Sequence, residues 1–338
     1  MLMNVKKKIT ISDVAEKAGV SKSTVSQYIN QRYKYMSSET KERIERVINE
    51  LNFRPNDNAR NLKVKKTKVV GILVANILHT LSTEIIQIVE DRLQHNGMKA
   101  FVCNSADDPE KEKEYIDLLI AKQVDGIIIF PVGNDYTVYN YLINYSIPIV
   151  FVDRLVDGIT TDSVLLDNHA ASFLAVSTLA EKGHENIAFF TLPIDFPVTP
   201  RIERIDGYKK AMAACQLKLR EELIFSISKD KIQDALQNCL HFNKPPTAII
   251  AGNDLVLLQI LKYLKKNNVS VPEKMAVIGI DNVLYADLYE PSITTIAQPI
   301  QQMGLKAAEL LLDRIKNESQ HPFITYRFAP EIVERNSI

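Results

Sequence analysis

The first apolar positions of the chain repeat with the spacing of one face of a helix. They begin within residues 10–13, TISD, which have the form of a capping box at a helix N-terminus. Gly19 interrupts the pattern, because glycine tolerates the left-handed conformation of a tight turn. The sequence therefore predicts a first helix that ends near Ala18. Its apolar positions are Ile11, Val14, Ala15 and Ala18.

Two further helices are predicted after this turn. Ser21 is placed to cap a second helix whose inner face is formed by Val25 and Ile29. A third helix, SSETKERIERVINEL, is capped near Ser37 and carries one apolar stripe. Three short helices with a tight turn between the first two can close one small core, as in a helix-turn-helix. The stripe of the third helix is Ile44, Val47, Ile48 and Leu51.

The second helix also carries polar residues that this core does not need. Their hydrogen-bonding groups suit contacts to base edges or phosphates, although a purely structural helical hairpin can show the same pattern. Residues 1–68 hold 16 Lys and Arg against 7 Asp and Glu, a net charge of +9, whereas the whole chain is neutral. A basic head on an acidic body favours binding to DNA. The polar residues are Lys22, Ser23, Thr24, Ser26 and Gln27.

After Lys68, short apolar runs alternate with helical patterns. This alternation predicts a parallel α/β arrangement. Most of the runs are continuously apolar, as expected of strands that helices cover on both faces. The runs are VVGILVAN, KAFVCNS, VDGIIIFPV, IPIVFVD, NIAFFTL, TAIIAGND and MAVIGIDN.

Several of these runs end in polar side chains. Ligands bind at the carboxyl ends of the strands in open parallel sheets. Each residue taken alone fits equally well as a cap of the following helix, but their repetition over successive strands favours a binding site. The residues are Asn76, Asp153, Arg154, Asn253, Asp254, Asp281 and Asn282.

Composition excludes several classes of protein. With 338 residues, of which 46% are apolar and 24% charged, the chain is long enough for about two globular domains. Three cysteines and six histidines show no spacing of a disulfide framework or a zinc site. Phosphate-binding glycine loops and a Gly-x-Ser-x-Gly signature are absent from the sequence. We therefore expect no enzyme activity, catalytic residue, metal or cofactor. Without an export signal or an apolar stretch long enough to span a membrane, a cytoplasmic protein is expected.

The segments ITISDVAEKAGVSKSTVSQYIN and SSETKERIERVINELNFRPNDNARNLK resemble the head and hinge of the lactose-repressor family of bacterial transcription regulators. The resemblance implies that Lys22, Ser23 and Gln27 read bases. It also implies that Leu62, in a hinge helix, is wedged into the minor groove. Gln27 stands where many members carry arginine, and the loop NQRYKYMSS is one residue longer than usual, so we expect a different operator sequence. The predicted DNA-binding residues are completed by Thr24, Asn30 and Asn56.

The same resemblance extends over the whole chain and implies its domain organisation. The fold class is α/β, with a small all-α helix-turn-helix head and a two-lobed body similar to periplasmic sugar-binding proteins, each lobe containing a parallel sheet. The predicted ranges are 1–54 for the head, 55–68 for the hinge and linker, and 69–338 for the body. Within the body, the first lobe comprises about 69–167 and 299–330, and the second about 168–298.

By this resemblance, five body residues fall on the family's effector positions, and Arg154 and Arg201 are adjacent additions. The loop NILHTLSTE lacks the Asn-Pro-Phe of many members, so no contact is assigned to His79. Several arginines near one cleft favour an acidic sugar or a sugar phosphate. Alternatively, the two additional arginines pair with acids such as Asp157 or Glu203. The five effector positions are Asp153, Arg204, Asn253, Asp281 and Gln298.

These observations predict a sequence-specific transcription regulator and, more narrowly, a repressor of carbohydrate catabolism genes. Its expected partners are a pseudo-palindromic double-stranded DNA operator, a small-molecule effector and a second copy of the chain in a homodimer. The alternative is a regulator of the same fold that a partner protein controls, as in catabolite control.

Overall fold

The computed structural model describes residues 10–29, 32–33, 36–51, 66–133, 136–194, 198–316 and 321–338. The chain divides into two compact units, Met1–Thr67 and Lys68–Ile338. Three of the predicted DNA-binding residues, Asn30, Asn56 and Leu62, lie outside the described residues.

The described residues of the first unit form three helices, α1 (Ile11–Ala18), α2 (Lys22–Ile29) and α3 (Ser38–Leu51). Thr10 and Asp13 form the predicted capping box at the start of α1. Gly19 ends α1 in the left-handed conformation, with φ of 63°. The three predicted helices and the turn are therefore confirmed. Their buried core consists of Val14, Ala15, Ala18, Val25, Ile44 and Val47.

The described strands of the second unit form two six-stranded sheets, and each sheet is the centre of one lobe. Neighbouring strands are parallel except for the last strand, which runs antiparallel to its neighbour. In spatial order, the first sheet is β11 (Thr325–Phe328), β5 (Asp162–Leu166), β4 (Ile149–Val152), β3 (Gly126–Ile129), β1 (Val69–Val74) and β2 (Lys99–Asn104). The second is β12 (Glu331–Val333), β10 (Thr294–Ala297), β9 (Ala276–Ile280), β8 (Ala248–Ala251), β6 (Ile187–Thr191) and β7 (Ile224–Ser226).

Helices cover both faces of each sheet, which explains why the central strands are continuously apolar. On the first sheet, α4 and α12 pack on one face and α5 and α6 on the other. On the second sheet, α7 and α8 pack on one face, and α9, α10 and α11 on the other. These helices are α4 (Thr80–His95), α5 (Pro109–Ala121), α6 (Tyr136–Asn144), α7 (Asn168–Glu181), α8 (Thr199–Ala214), α9 (Ile232–Cys239), α10 (Asp254–Lys266), α11 (Leu284–Leu288) and α12 (Ile300–Lys316).

The chain passes between the lobes three times, from β5 to α7, from β10 to α12 and from β11 to β12. The first lobe therefore contains β1 to β5, β11 and α12, and the last strand returns to the second lobe. The predicted α/β fold with a helical head is confirmed. Among the described residues, no helix has the length and apolar character needed to span a membrane.

One glycine brings two helices of the second lobe close together. A Cβ atom on Gly207 of α8 would lie 2.8 Å from the Cα atom of His169 in α7, closer than side chains approach a backbone. Glycine therefore allows the two helix backbones to approach each other. As a result, the side chain of Arg204, one turn earlier on α8, reaches Asn168 at the start of α7.

Candidate functional site

The seven polar residues predicted to bind the effector all line one cleft between the two lobes. The carboxyl ends of β4, β8, β9 and β10 supply most of them, and α8 supplies two arginines. This placement follows from the parallel topology, because the carboxyl ends of parallel strands meet at one edge of a sheet. The residues are Asp153, Arg154, Arg201, Arg204, Asn253, Asp281 and Gln298.

The cleft is narrow. Its volume is about 40 Å³, which admits a few water molecules at most. His79 and Ser82 of the first lobe and Pro200 of the second complete the wall. Binding of a sugar-sized ligand therefore requires the lobes to move apart or the lining side chains to shift.

Hydrogen bonds fix the orientation of Arg204, which is only 4% exposed. Its Nε donates to Asn168 Oδ1 at 2.8 Å, and its Nη1 donates to the carbonyl oxygen of Gly252 at 2.6 Å. Asn168 in turn donates to Glu203, and Arg327 on β11 donates to the same carboxylate at 2.6 Å. This chain of bonds joins the first lobe to the second and places a rigid guanidinium group at the cleft.

The other two arginines are anchored mainly by backbone carbonyl groups. Arg154 is 6% exposed and donates from Nη1 to the carbonyl oxygen of Pro131 at 3.1 Å. Its Nε has no hydrogen-bond partner in the described part of the protein. Arg201 donates to the carbonyl oxygen of Pro193 at 2.7 Å. The alternative pairing with nearby acids holds for Arg154, whose Nη2 lies 3.4 Å from Asp107 Oδ1 and whose Nε lies 3.6 Å from Asp153 Oδ2. Glu203 is not one of these acids, because its carboxylate binds Arg327.

The positive charges of the arginines oppose one another. Burial, together with the charges of Arg154 and Arg204, lowers the pKa of Arg201 to about 10. Asp107 and Asp153 act in the opposite direction. A group that loses proton affinity through burial and like charges gains stability from a bound anion. The cluster therefore places three like charges in one cleft.

Asp281 and Gln298 add a carboxyl group and an amide group to the cleft wall. Gln298 Nε2 donates to Asp281 Oδ1 at 2.6 Å. Burial raises the pKa of Asp281 to about 6, with Arg204 opposing the rise and Asp254 adding to it. Gln298 is 8% exposed, and its Oε1 has no hydrogen-bond partner in the described part of the chain. This oxygen can accept a hydrogen bond from a ligand hydroxyl group.

Strained backbone accompanies these side chains. Asp107, Asp153 and Asp281 have φ angles of 59°, 66° and 90°. Residues other than glycine seldom adopt this left-handed region, although aspartate does so more often than most, and six further non-glycine residues among the described ones share it. Asn253 differs from them, because its side chain accepts the backbone N–H of Val256 at 2.9 Å and so caps α10. Asn253 therefore caps α10, the alternative considered for it above, and also lines the cleft.

In the first unit, α2 presents the predicted polar face. Lys22, Ser23 and Gln27 are exposed, whereas Thr24 is half-buried. The hydroxyl group of Ser21 lies 2.6 Å from that of Ser23 and 2.8 Å from that of Thr24. Ser21 also accepts the backbone N–H of Thr24 at 3.1 Å, so it caps the helix as predicted.

Family models match both parts of the chain. Residues 10–56 match the model of bacterial regulatory proteins of the lacI family, and residues 176–338 match a periplasmic binding protein-like domain. The probable HTH-type transcriptional regulator EndR of Paenibacillus polymyxa is 42% identical over 97% of this chain and 98% of its own. The chain belongs to the lacI family. It is a DNA-binding transcriptional regulator.

Other lacI-family proteins support the same conclusion. The HTH-type transcriptional repressor PurR of Vibrio campbellii is 33% identical over 97% of this chain and 98% of its own. A structure of the Lac repressor bound to ONPG in the repressed state matches with a TM-score of 0.84 at 25% identity, over 98% of this chain and 100% of that one. The transcriptional regulator CelR in complex with cellobiose matches with a TM-score of 0.71 at 28% identity, over 97% and 99%. The relatives EndR and PurR are regulators rather than enzymes.

Three hydrogen-bonded contacts across the cleft of this lacI-family regulator were not predicted from the sequence. His79 of the first lobe places Nδ1 2.6 Å from Asp254 Oδ1 of the second, and the backbone N–H of Thr80 donates to Asp254 Oδ2 at 2.9 Å. The backbone N–H of Leu155 donates across the same cleft to the hydroxyl group of Thr199 at 2.8 Å. The position of His79 just beyond β1, at the edge where the strands end, was the available signal. These contacts hold the lobes together.

The histidine and the aspartate stabilise each other's charged forms. Burial alone lowers the pKa of His79, but the hydrogen bond to Asp254 and its charge outweigh burial and raise the pKa above its ordinary 6.5. Burial raises the pKa of Asp254, but the bond from His79 brings it below the ordinary 3.8. The contribution of His79 is complete below pH 6.5 and is lost as pH rises through its raised pKa. That of Asp254 is complete above pH 3.8 and is lost as pH falls through its lowered pKa.

We expect the His79→Asn variant to lose part of this pH dependence. Between pH 6 and pH 9 the parent should lose about 1 kcal/mol of body stability that the variant does not lose, because His79 deprotonates only in the parent. Chemical denaturation at several pH values measures the difference. His95→Asn, which changes an exposed histidine at the end of α4, is the matched control. Equal pH slopes for His79→Asn and the parent would contradict the assignment.

Proposed function

We propose that this regulator is a homodimeric repressor of carbohydrate catabolism genes whose operator affinity is set by an acidic sugar or sugar phosphate bound in the cleft. The observation that carries the ligand class is the convergence of Arg154, Arg201 and Arg204 on one buried site. Arg204 is the main anion contact in this proposal, and Arg154 and Arg201 support it. Asp153, Asn253, Asp281 and Gln298 bind the hydroxyl groups.

The choice of an acidic sugar rests on the mutual repulsion of the three arginines in the cleft. The bound cellobiose of CelR is a neutral sugar, so the fold alone does not demand an anion. A neutral hydroxyl group, however, leaves the repulsion within the arginine cluster in place. A carboxylate or phosphate accepts two parallel hydrogen bonds from a guanidinium group and neutralises it. The Nε of Arg154 forms no hydrogen bond in the described part of the protein and lies 3.6 Å from Asp153 Oδ2, so it can donate to such a ligand.

The proposal for the DNA contact rests on the exposed face of α2 and on the +9 charge of residues 1–68. Lys22, Ser23 and Gln27 read bases, while Thr24, whose hydroxyl group lies beside that of Ser21, contributes less. Asn30, Asn56 and Leu62 keep their predicted roles at the operator. Two such heads related by a two-fold axis recognise two halves of a pseudo-palindrome.

The proposal of a homodimer rests on apolar side chains that the single chain leaves exposed. Leu284 and Leu288 of α11 are 81% and 77% exposed, and they lie beside a groove of the second lobe that Leu261 and Tyr289 help to line. In the first lobe, Phe101 and Val102 are exposed on the edge strand β2. Exposed apolar patches of this kind are typical of protein interfaces.

We expect Gln27→Ala to change base preference in each operator half-site by about 1–3 kcal/mol, because the amide of Gln27 can form paired hydrogen bonds with a base. Selection from random DNA followed by competition binding measures the change. Ser38→Ala, which removes an exposed hydroxyl group at the start of α3 and leaves α2 intact, is the control. An unchanged consensus for Gln27→Ala would show that Gln27 does not read bases.

We expect Arg201→Gln to weaken binding of a sugar acid about tenfold to hundredfold and to leave binding of the matching neutral sugar unchanged. Arg201 is preferred to Arg204 for this test because it bonds a backbone carbonyl group rather than the network between the lobes. Titration calorimetry with galacturonic acid and galactose measures both affinities. Arg92→Gln, which removes an exposed arginine of α4, is the control. Binding of the neutral sugar alone would contradict the proposed ligand class.

A further inference from the structure

A second cavity opens beside the cleft, between the first turns of α4 and the end of β10. Its volume is about 180 Å³, more than ten times the roughly 10–15 Å³ that one water molecule requires. Thr80 and Glu84 lie on the side of the first lobe, and Asn282 and Ala297 lie on the side of the second. These four residues define the side cavity.

The side cavity and the cleft share part of their wall. Leu81, Asp281 and Gln298 line both spaces. Gln298 is the more informative of the three, because its buried Oε1 has no hydrogen-bond partner in the described part of the chain. A ligand that extends from the cleft into the side cavity passes this oxygen and can donate a hydroxyl hydrogen to it.

The two spaces differ in charge. Arg154, Arg201 and Arg204 line the cleft, whereas the side cavity is lined by two carboxyl groups, Glu84 and Asp281, and by no lysine or arginine among the described residues. A second anionic group is therefore repelled from the side cavity, while uncharged hydroxyl groups find acceptors there.

We propose that the side cavity is a second sugar subsite. The ligand is an acidic disaccharide whose charged ring lies at the arginine cluster and whose uncharged ring occupies the side cavity. This inference rests on the proposed function, since it assumes an anionic sugar in the cleft.

Titration calorimetry on the full chain with three probes tests the inference. The probes are glucuronic acid, a disaccharide that joins a neutral hexose to glucuronic acid, and a disaccharide of two uronic acids. We expect the disaccharide with one acid to bind at least about tenfold more tightly than glucuronic acid, because only it fills the side cavity. The disaccharide with two acids should bind more weakly than the one with a single acid, because Glu84 repels its second carboxylate.

Two variants test separately whether the side cavity is filled by the ligand and whether the charge of Glu84 repels a second acid. Ala297→Met reduces the space of the side cavity and should remove the advantage of the disaccharide with one acid. Glu84→Gln should raise the affinity for the disaccharide with two acids, whereas Glu90→Gln, which removes an exposed charge from the same helix, should not.

The outcomes distinguish this inference from the proposed function. Equal binding of glucuronic acid and the disaccharide with one acid to the parent would overturn the second subsite and leave the acidic ligand in place. Failure of all three acids to bind the folded parent would overturn both proposals. Tight binding of both disaccharides without any effect of Ala297→Met or Glu84→Gln would also overturn the subsite.

Discussion

The placement of three guanidinium groups between two lobes, with Arg154 and Arg204 buried and Arg201 half-buried, is the constraint on which the body of this regulator depends. A buried charge is costly unless it is paired or hydrogen-bonded. Arg204 meets this requirement through Asn168 and Gly252, and Asn168 is linked through Glu203 to Arg327. The same bonds that keep the site rigid therefore connect the lobes behind the cleft. Asp107 and Asp153 lie beside Arg154 and offset part of the positive charge of the cluster.

Hydrogen bonds across the cleft hold the two lobes of the body in a closed arrangement. The bonds from His79 and Thr80 to Asp254 hold the lobes together over a volume of about 40 Å³. A ligand must therefore change this arrangement to enter, and it shifts the population of states by its difference in affinity for them. Any effect of the ligand on operator affinity is reciprocal, so the operator changes ligand affinity by the same factor. The bonds from His79 and Thr80 to Asp254 are contacts through which ligand binding can be coupled to operator affinity.

The sequence revealed strands and site residues to different extents. Continuous apolar runs revealed the central strands β1, β3, β4, β6, β8 and β9, because burial on both faces leaves no other pattern. The central strand β10 and the short edge strand β7 were not among the predicted runs. β5 was missed, since Asp162 at its start is a buried acid that pairs with Arg314 of α12, 152 residues away. The edge strands β11 and β12 were missed because exposed residues interrupt their apolar pattern. Exposed and half-buried positions alternate along β11, and β12 begins with an exposed residue. The seven polar residues were found through their positions near strand ends and through family resemblance. Their partners, such as the carbonyl group of Pro193 for Arg201, depend on tertiary contacts that local patterns do not encode.

The most direct test of the account measures operator affinity of one protein preparation with and without ligand. An operator selected from random DNA is titrated by fluorescence anisotropy in the presence of galacturonic acid, of galactose and of neither. The account predicts that the acid changes the operator Kd by about 5-fold to 150-fold, that galactose leaves it unchanged, and that Arg201→Gln raises the acid concentration needed for the response about tenfold to hundredfold. A response to galactose alone, or a response of Arg201→Gln at the same acid concentration as the parent, would contradict it.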